Sequence, residues 1–285
     1  MRRHPDWLKV RIGGGENYSK VKTLLRSAKL HTICEEARCP NIAECFGNGT
    51  AVFLLLGDTC TRHCGYCHVM HGTPGVLNPT EPEDIAASVQ TLDLKYVVLT
   101  SVTRDDLPDG GAGVFSQTIH AIRRTTPETL IEVLIPDFKG DEASLQTVID
   151  AAPDVMNHNI EVVEDLFPHL RPQGSYQRSL QLLSMIKNKT LSIPTKSGLM
   201  VGLGESTEQI LRTLRDLRKA QVDFLTIGQY LQPTASHAPI QKYYTPLEFL
   251  QMKESAVQLG FTHVESGPLV RSSYHAQHAL HKDLV

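Results

Sequence analysis

The chain has 285 residues, of which 41% are hydrophobic and 21% are charged, and its formal net charge at pH 7 is -3. A chain of this size and composition can bury the core of one large domain or two small ones. The negative charge argues against a nucleic-acid partner, which requires a positive surface opposite its phosphates. The longest strongly apolar run, residues 51–57, is too short to span a bilayer, so we expect no membrane partner either.

The N-terminal sequence MRRHPDWLKV is basic, but no apolar segment of a secretory signal follows it. We therefore expect a cytoplasmic protein, or a protein of an organelle lumen if a transit peptide has been removed. All six cysteines lie between residues 34 and 67. Crowding in one segment indicates metal binding in a reducing compartment, because a disulfide framework would connect distant parts of the chain.

From residue 51 onward, short apolar runs alternate with amphipathic segments. The first run, AVFLLLG, precedes a predicted helix whose first turn is acidic, as the positive end of a helix dipole favours. Five further strand–helix pairs follow. Strands are predicted at 95–102, 129–138, 154–163, 192–205 and 224–233, and helices at 113–124, 141–151, 175–188, 206–220 and 245–259.

Six such units predict an α/β fold in which helices cover a parallel sheet. We expect a partial (β/α)6 barrel of the TIM type, with an open doubly wound sheet as the alternative. In both folds the functional residues follow the carboxyl ends of the strands. The predicted domains are an N-terminal extension at 1–50, the barrel at 51–262 and a C-terminal segment at 263–285.

A first cysteine triplet, Cys60, Cys64 and Cys67, lies directly after the first predicted strand in DTCTRHCGYCHVMHG. Its spacing is C-x3-C-x2-C. Three thiolates this close in a loop suit an iron–sulfur cluster, and three ligands leave one iron of a four-iron cube open. The alternative is a Cys3His zinc site that uses one of the neighbouring histidines.

A second triplet, Cys34, Cys39 and Cys45, has the spacing C-x4-C-x5-C. The first triplet, with the aromatic Tyr66 before its last cysteine, resembles the signature of radical S-adenosylmethionine (SAM) enzymes. The second triplet and the sequence RSSY at 271–274 resemble the lipoyl synthase family in particular. The resemblance extends from about residue 5 to residue 276 and includes the segments 99–115, 157–161, 195–205 and 228–234.

The resemblance implies an enzyme that inserts two sulfur atoms at C6 and C8 of an octanoyl chain bound to a lysine of a carrier protein. An unactivated methylene has no acidic proton, so a carbon radical must take the hydrogen atom. In this family a 4Fe-4S cluster on the first triplet binds SAM at its open iron and cleaves it to a 5′-deoxyadenosyl radical. A second 4Fe-4S cluster, on the other triplet, is the sulfur donor and is consumed.

The fourth ligand of the second cluster cannot be a further cysteine, because the chain has no seventh one. The resemblance points to a serine of RSSY, and we favour Ser273 over Ser272. A serine oxygen binds cluster iron less well than a thiolate, which suits a cluster that must come apart. Arg271 would orient the serine or the cluster. By itself, RSSY would indicate only a polar C-terminal turn.

Polar and small residues near the ends of the predicted strands are further candidates for cofactor contacts. Tyr66 adjoins Cys67 and would contact the adenine, while Asn159 and Glu161 would bind ribose hydroxyls or the amine. Each of these residues can also be read as an ordinary loop or packing residue. The predicted cofactor-binding residues are Tyr66, Thr100, Arg104, Asp105, Asn159, Glu161, Lys196, Met200, Gly202 and Gln232.

The resemblance also implies three partners. They are an octanoylated lipoyl carrier domain (glycine cleavage H protein or 2-oxoacid dehydrogenase E2), an electron donor such as ferredoxin or flavodoxin, and a scaffold that rebuilds the cluster. Two alternative functions stay open. One is another two-cluster radical SAM enzyme whose second cluster is structural or relays electrons, and the other is a non-enzymatic zinc or iron–sulfur module.

Overall fold

The structure, a computed structural model, describes residues 5–10, 15–28, 30–47, 51–274 and 276–280. The outermost parts of the predicted N-terminal extension and C-terminal segment lie outside these residues. Within the described ranges, no helix is long and apolar enough to cross a membrane. The chain forms two compact units. The N-terminal unit contains residues 15–28, 30–47, 51–63 and 68–156, and the C-terminal unit contains residues 5–10, 64–67, 157–274 and 276–280.

The N-terminal unit alternates strands and helices, as its sequence predicts. Its helices are α1 (Glu16–Ser27), α2 (Ile33–Glu36), α3 (Ile42–Gly47), α4 (Glu81–Thr91), α5 (Ala112–Thr125) and α6 (Glu142–Asp150). Its strands are β1 (His31–Thr32), β2 (Val52–Leu55), β3 (Thr59–Cys60), β4 (Met70–His71), β5 (Tyr96–Ser101), β6 (Leu130–Leu134) and β7 (Val155–Asn157), the last of which ends at the unit boundary.

The main sheet of the N-terminal unit is parallel apart from its first strand. β2 pairs in parallel with β5 and β5 with β6, and β7 follows β6, while β1 pairs antiparallel with β2. All four residues of β2 are buried, which explains its unbroken apolar sequence. From β2 onward the strands lie side by side in the order of the chain. This is the order of a barrel and not of a doubly wound sheet.

The C-terminal unit continues the same alternation. Its helices are α7 (Phe167–Leu170), α8 (Tyr176–Lys189), α9 (Thr207–Lys219) and α10 (Pro246–Gln258), and its strands are β8 (Thr195–Val201), β9 (Phe224–Gln229) and β10 (His263–Gly267). Helices α9 and α10 both begin with a capping box, in which the N-cap hydroxyl and the side chain three residues later bond each other's backbone amides.

The strands β8, β9 and β10 also pair in parallel and in chain order. The predicted parallel α/β fold is therefore confirmed in each unit. The sequence does not predict β10, because only one residue of HVESG is buried and the apolar signal of a parallel strand is missing. The core of this unit consists of aliphatic and aromatic side chains from its strands, its helices and the segments that connect them.

Candidate functional site

Cys60 lies just after the carboxyl end of β2. Beyond β2 the chain turns through Leu56, whose φ is +70°, and the backbone amide of Leu56 donates to the Glu81 carboxylate at 2.9 Å. The short strand β3 then ends at Cys60, whose sulfur accepts the backbone N–H of Arg62 at 3.4 Å. The thiol is therefore presented at the edge of the sheet where parallel α/β folds carry their functional residues.

Cys64 and Cys67 belong to the C-terminal unit and lie in one turn, in which the amide of Cys67 donates to the carbonyl of Cys64 at 3.1 Å. Two contacts hold this turn. The amide of Gly65 donates to the carbonyl of Leu170 at 2.8 Å. The imidazole Nε2 of His237 is 3.0 Å from the carbonyl oxygen of Cys67. The sequence does not reveal this contact, because 170 residues separate His237 from Cys67.

Three predicted cofactor-binding residues come together in the C-terminal unit. The Asn159 amide donates to the Glu161 carboxylate at 3.1 Å. Burial raises the pKa of Glu161 above its ordinary value, and the nearby Arg171 offsets part of this effect. Burial also raises the pKa of the Tyr66 phenol, and the negative charge of Glu161 adds to the shift. The group is thus a partly buried, acidic corner beside the Cys64–Cys67 turn.

Met200 and Lys196 are both on β8. The amide of Met200 donates to the carbonyl of Glu161 at 2.8 Å, so Met200 borders the same corner. Lys196 is buried, with 3% of its surface exposed, and its carbonyl accepts the amide of His158 at 3.1 Å. Both stay predictions as cofactor contacts.

Gly202 and Gln232 have clear roles within the protein. Gly202 has a φ of +107°, and a Cβ atom there would lie 2.1 Å from the Gln229 amide nitrogen. This glycine therefore permits a close approach, and its role as a cofactor contact stays a prediction. The Gln232 amide donates to the carbonyl of His237 at 2.8 Å, which supports the histidine that holds Cys67.

Thr100, Arg104 and Asp105 lie in the N-terminal unit, where each contacts other protein groups. The Thr100 hydroxyl donates to a backbone carbonyl of β6 at 3.1 Å. The Arg104 guanidinium donates to the Asp106 carboxylate at 2.8 Å, and Asp105 accepts from Arg62 at 2.7 Å. Their assignment as cofactor contacts stays a prediction. Arg62, which the sequence analysis does not single out, proves to be buried.

The second triplet is also in the N-terminal unit, with Cys34 in α2 and Cys45 in α3. Burial and, to a smaller extent, the charge of Cys39 raise the pKa of both thiols to about 12. The three sulfurs are thus close enough to repel one another when ionised. A cationic iron core relieves this repulsion and deprotonates its thiol ligands, so this donor set fits an iron–sulfur cluster.

A site for a single metal ion, such as zinc, requires that its ligands converge on one point. Within the part of the chain that the structure describes, no three His, Cys, Asp or Glu side chains converge as ligands of one metal ion would. Each cysteine of a cube binds its own iron atom, so its thiolates need not converge on one point. None of the six cysteines, all in described ranges, forms a disulfide.

The two serines of RSSY have different surroundings. The Ser272 hydroxyl donates to the Asn159 side-chain oxygen at 3.1 Å and accepts from the Asn157 amide at 3.1 Å. The Ser273 hydroxyl makes no hydrogen bond to any residue in the described ranges. Ser272 is therefore engaged in holding the turn, and among the described residues nothing occupies the Ser273 oxygen.

The sequence matches two family models: the Radical SAM superfamily over residues 54–217, and the N-terminal domain of lipoyl synthase of the Radical SAM family over residues 1–39. The lipoyl synthase of Rubrobacter xylanophilus is 56% identical over 272 residues, which are 95% of this chain and 85% of that protein. The lipoyl synthase of Shouchella clausii is 54% identical, over 99% of this chain and 92% of that protein. The chain belongs to the lipoyl synthase family.

Solved structures agree with this family at the level of the fold. Methylornithine synthase is 16% identical with a TM-score of 0.55, over 95% of this chain and 88% of its own. SuiB of Streptococcus suis, solved with S-adenosylmethionine, is 12% identical with a TM-score of 0.57, over 80% of this chain and 55% of its own. The fold is the mostly parallel α/β fold of the radical SAM partial barrel, as predicted.

Lipoyl synthases use two 4Fe-4S clusters and SAM, so the predicted cofactors are confirmed for the family. The assignment of individual ligands in this chain stays a prediction. Two features of the site were missed in the sequence: the contact of His237 with the Cys67 carbonyl, and the burial of Arg62. Neither follows from local patterning, since each depends on a partner far away in the chain.

Proposed function

We propose that this chain, as a lipoyl synthase, inserts two sulfur atoms at C6 and C8 of an octanoyl-lysine on a lipoyl carrier domain. The observation that carries the proposal is the identity of 56% and 54% to lipoyl synthases along nearly the whole chain. The target is a methylene hydrogen that a side-chain base cannot remove as a proton. When bound, the first cluster and SAM supply a carbon radical that takes it as a hydrogen atom.

At the radical-generating centre, the chain's own residues bind and orient. We assign Cys60, Cys64 and Cys67 as the three ligands of the first cluster, with the fourth iron left to the methionine amine and carboxylate of SAM. Tyr66 would then face the adenine, and Asn159 and Glu161 would bind the ribose or the amine. The partial burial of Glu161 supports this role, because a carboxylate that has lost part of its hydration gains from a cationic partner.

We assign Cys34, Cys39 and Cys45 as ligands of the second cluster, which supplies the sulfur, and Ser273 as its fourth ligand. The local support for Ser273 over Ser272 is that the Ser272 hydroxyl already bonds two asparagines. A hard oxygen ligand binds iron less tightly than a thiolate, so it favours a cluster that gives up its sulfur.

The reaction also requires partners. Beyond the carrier domain, which is glycine cleavage H protein or 2-oxoacid dehydrogenase E2, we propose a one-electron donor such as ferredoxin or flavodoxin. A scaffold must rebuild the second cluster after each turnover, because its sulfur leaves with the product. Clusters and cysteine thiols need a reducing compartment, so we propose that the protein works in the cytoplasm.

The direct test uses the anaerobically reconstituted protein, SAM, a strong reductant and an octanoyl-lysine peptide. We expect the peptide to gain two sulfur atoms, measured by mass spectrometry, while 5′-deoxyadenosine accumulates. In Cys34→Ala we expect cleavage of SAM to continue and sulfur insertion to stop, whereas in Cys64→Ala both should stop. Sulfur insertion by Cys34→Ala would contradict the donor assignment. An unchanged peptide with continued SAM cleavage would indicate another radical SAM enzyme.

A further inference from the structure

Arg62 stands between two predicted cluster ligands in the sequence, yet its side chain is buried, with 5% of the residue exposed. Its guanidinium donates to the Asp105 carboxylate at 2.7 and 2.9 Å and to the Asp137 carboxylate at 3.0 and 2.7 Å. An arginine guanidinium is always charged in proteins, so the Arg62 side chain is a buried cation that bridges two carboxylates.

Both carboxylates are themselves held in place. Asp137 has a fully buried side chain and accepts the amide of Lys139 at 3.1 Å, in a turn where Phe138 and Lys139 have φ values of 45° and 53°. Two consecutive non-glycine residues in this conformation are strained, and such strain concentrates at functional sites. The turn thus fixes the direction in which Asp137 points.

Asp105 is tied to the segment just before Arg62. Its amide donates to the Thr61 hydroxyl at 3.0 Å, and the Thr61 amide donates to the carbonyl of Thr103 at 3.0 Å. Residues 61 and 62 are thus bound through backbone and side chain to the loop after β5 and, through Asp137, to the turn after β6.

A buried ion pair contributes little net stability, because desolvation of the charges offsets most of their attraction. A guanidinium between two carboxylates instead fixes their relative orientation, because its planar N–H groups bond each carboxylate in a defined direction. The amide of Arg62 also donates to the Cys60 sulfur at 3.4 Å, so the orientation of this residue directly affects a cluster ligand.

We propose that Arg62 is a positioning residue: through Asp105 and Asp137 it holds the loop that carries Cys60 in the geometry required to bind the first cluster and its SAM. The inference rests on the proposed function, because it takes Cys60, Cys64 and Cys67 as the ligands of that cluster. On this proposal, the bidentate geometry of the Arg62 guanidinium, and not its charge alone, keeps the loop in the conformation that binds the cluster.

The test compares iron content and cluster spectra of the full-length, reconstituted variants. The wild-type protein should hold about eight iron atoms in two cubes, and its reduced electron paramagnetic resonance spectrum should change when SAM is added. In Arg62→Gln we expect about half of the iron and loss of the SAM-dependent change. Substitution of a residue that supports a metal ligand typically weakens metal binding about 10- to 100-fold.

Arg62→Lys separates geometry from charge. Lysine keeps the positive charge but is a point donor that cannot bond two carboxylates as a fork does, so the loss should persist. The matched control is Arg123→Gln, which removes an ion pair with Asp154 of 2.6 Å in the same unit. Its iron content and SAM-dependent spectrum should match those of the wild type.

Full iron and an unchanged SAM response in Arg62→Gln, or complete recovery of both in Arg62→Lys, would overturn the proposal. If circular dichroism shows that Arg62→Gln does not fold, Asp105→Asn becomes the test variant. The Asp105 carboxylate is partly exposed, so its replacement should disturb the fold less. We expect this variant to lose first-cluster iron to a chelator about tenfold faster than the wild type, and equal rates would overturn the proposal. A wild-type protein without a SAM-dependent spectrum would instead reject the proposed function.

Discussion

At the scale of single residues, Ser272 and Ser273 show how neighbours of the same type acquire different roles. Ser272 lies between Asn157 and Asn159 through two hydrogen bonds of 3.1 Å, whereas the Ser273 hydroxyl bonds no residue of the described chain. The sequence RSSY cannot distinguish them, since both carry the same hydroxyl. The distinction depends on two asparagines more than 110 positions away, at separations of 115 and 113 residues.

We therefore expect Ser273→Ala to stop sulfur insertion while SAM cleavage continues, because it would remove only the proposed fourth ligand of the second cluster. Ser273→Cys should retain that cluster but release sulfur more slowly, since a thiolate binds iron more tightly. Mass spectrometry of the peptide and quantification of 5′-deoxyadenosine measure the two reactions. Ser272→Ala should reduce insertion only in part. Full insertion by Ser273→Ala would remove Ser273 from the ligand set.

Glu81 is a buried carboxylate that accepts the amide of Leu56 at the end of β2. Burial raises its pKa above the ordinary value, although hydrogen bonds from Leu56 and Gly57 oppose the shift. A folded-state pKa above the unfolded one means that the folded state binds the proton more readily. The contribution of this group to stability is thus complete below its unfolded pKa and is lost as pH rises through the folded pKa.

Lowering the pH from about 7.5 to below the ordinary pKa of 4.5 should therefore stabilise the wild type relative to Glu81→Gln, by about 1.4 kcal/mol for each unit of pKa difference. Thermal unfolding of both proteins at several pH values measures this. Other groups titrate alike in both proteins, so the difference between the two curves of stability against pH reports on Glu81 alone. Parallel curves would show that Glu81 has an ordinary pKa in the folded state.

At the scale of elements, the apolar runs predict β2, β5, β6, β8 and β9, because buried parallel strands need side chains that are apolar on both faces. The sequence does not predict β10, because this strand is defined by its pairing with β9 and lacks an apolar run of its own. β9 also accommodates the segment before RSSY. A Cβ atom on Gly228 would lie 2.1 Å from the carbonyl oxygen of Val270.

Gly228→Ala should therefore displace the backbone before RSSY, with a loss of about 1–3 kcal/mol of stability, which is the usual cost of overpacking. Gly267→Ala on β10 is the matched control, since its Cβ would meet only a Val270 methyl group at 3.3 Å. We expect a marked fall in thermal midpoint and in sulfur insertion for Gly228→Ala and little change for the control. Equal melting of the two variants would argue against this close approach.

At the scale of the whole molecule, the hydrophobic core within a unit and the binding of iron contribute to stability in different regions. The core of the C-terminal unit contains no cysteine side chain, so its burial of apolar surface does not depend on a cluster. In the N-terminal unit, Cys34 is buried within α2, a helix of 4 residues that cannot be stable alone. The region around the second triplet thus has more to gain from iron than the sheets have.

Removal of iron should therefore leave most of the helical circular dichroism intact and lower the thermal midpoint, because ligand binding to the folded state alone stabilises it. The comparison is between protein with both clusters and protein treated with a chelator under anaerobic conditions. A triple Cys34→Ala, Cys39→Ala, Cys45→Ala variant shows how much of the change belongs to the second cluster. Complete loss of the helical signal would mean that the clusters are required for the fold.

The sequence alone determined the alternation of strands and helices and the two cysteine triplets, because periodicity and spacing are local properties of the chain. The tertiary structure decided which polar side chains meet: Arg62 with Asp105 and Asp137, His237 with Cys67, and Ser272 with its asparagines. The physical reason is separation along the chain. A hydrogen bond across 43 to 170 residues leaves no pattern near either partner, and only the folding of the chain brings the two partners together.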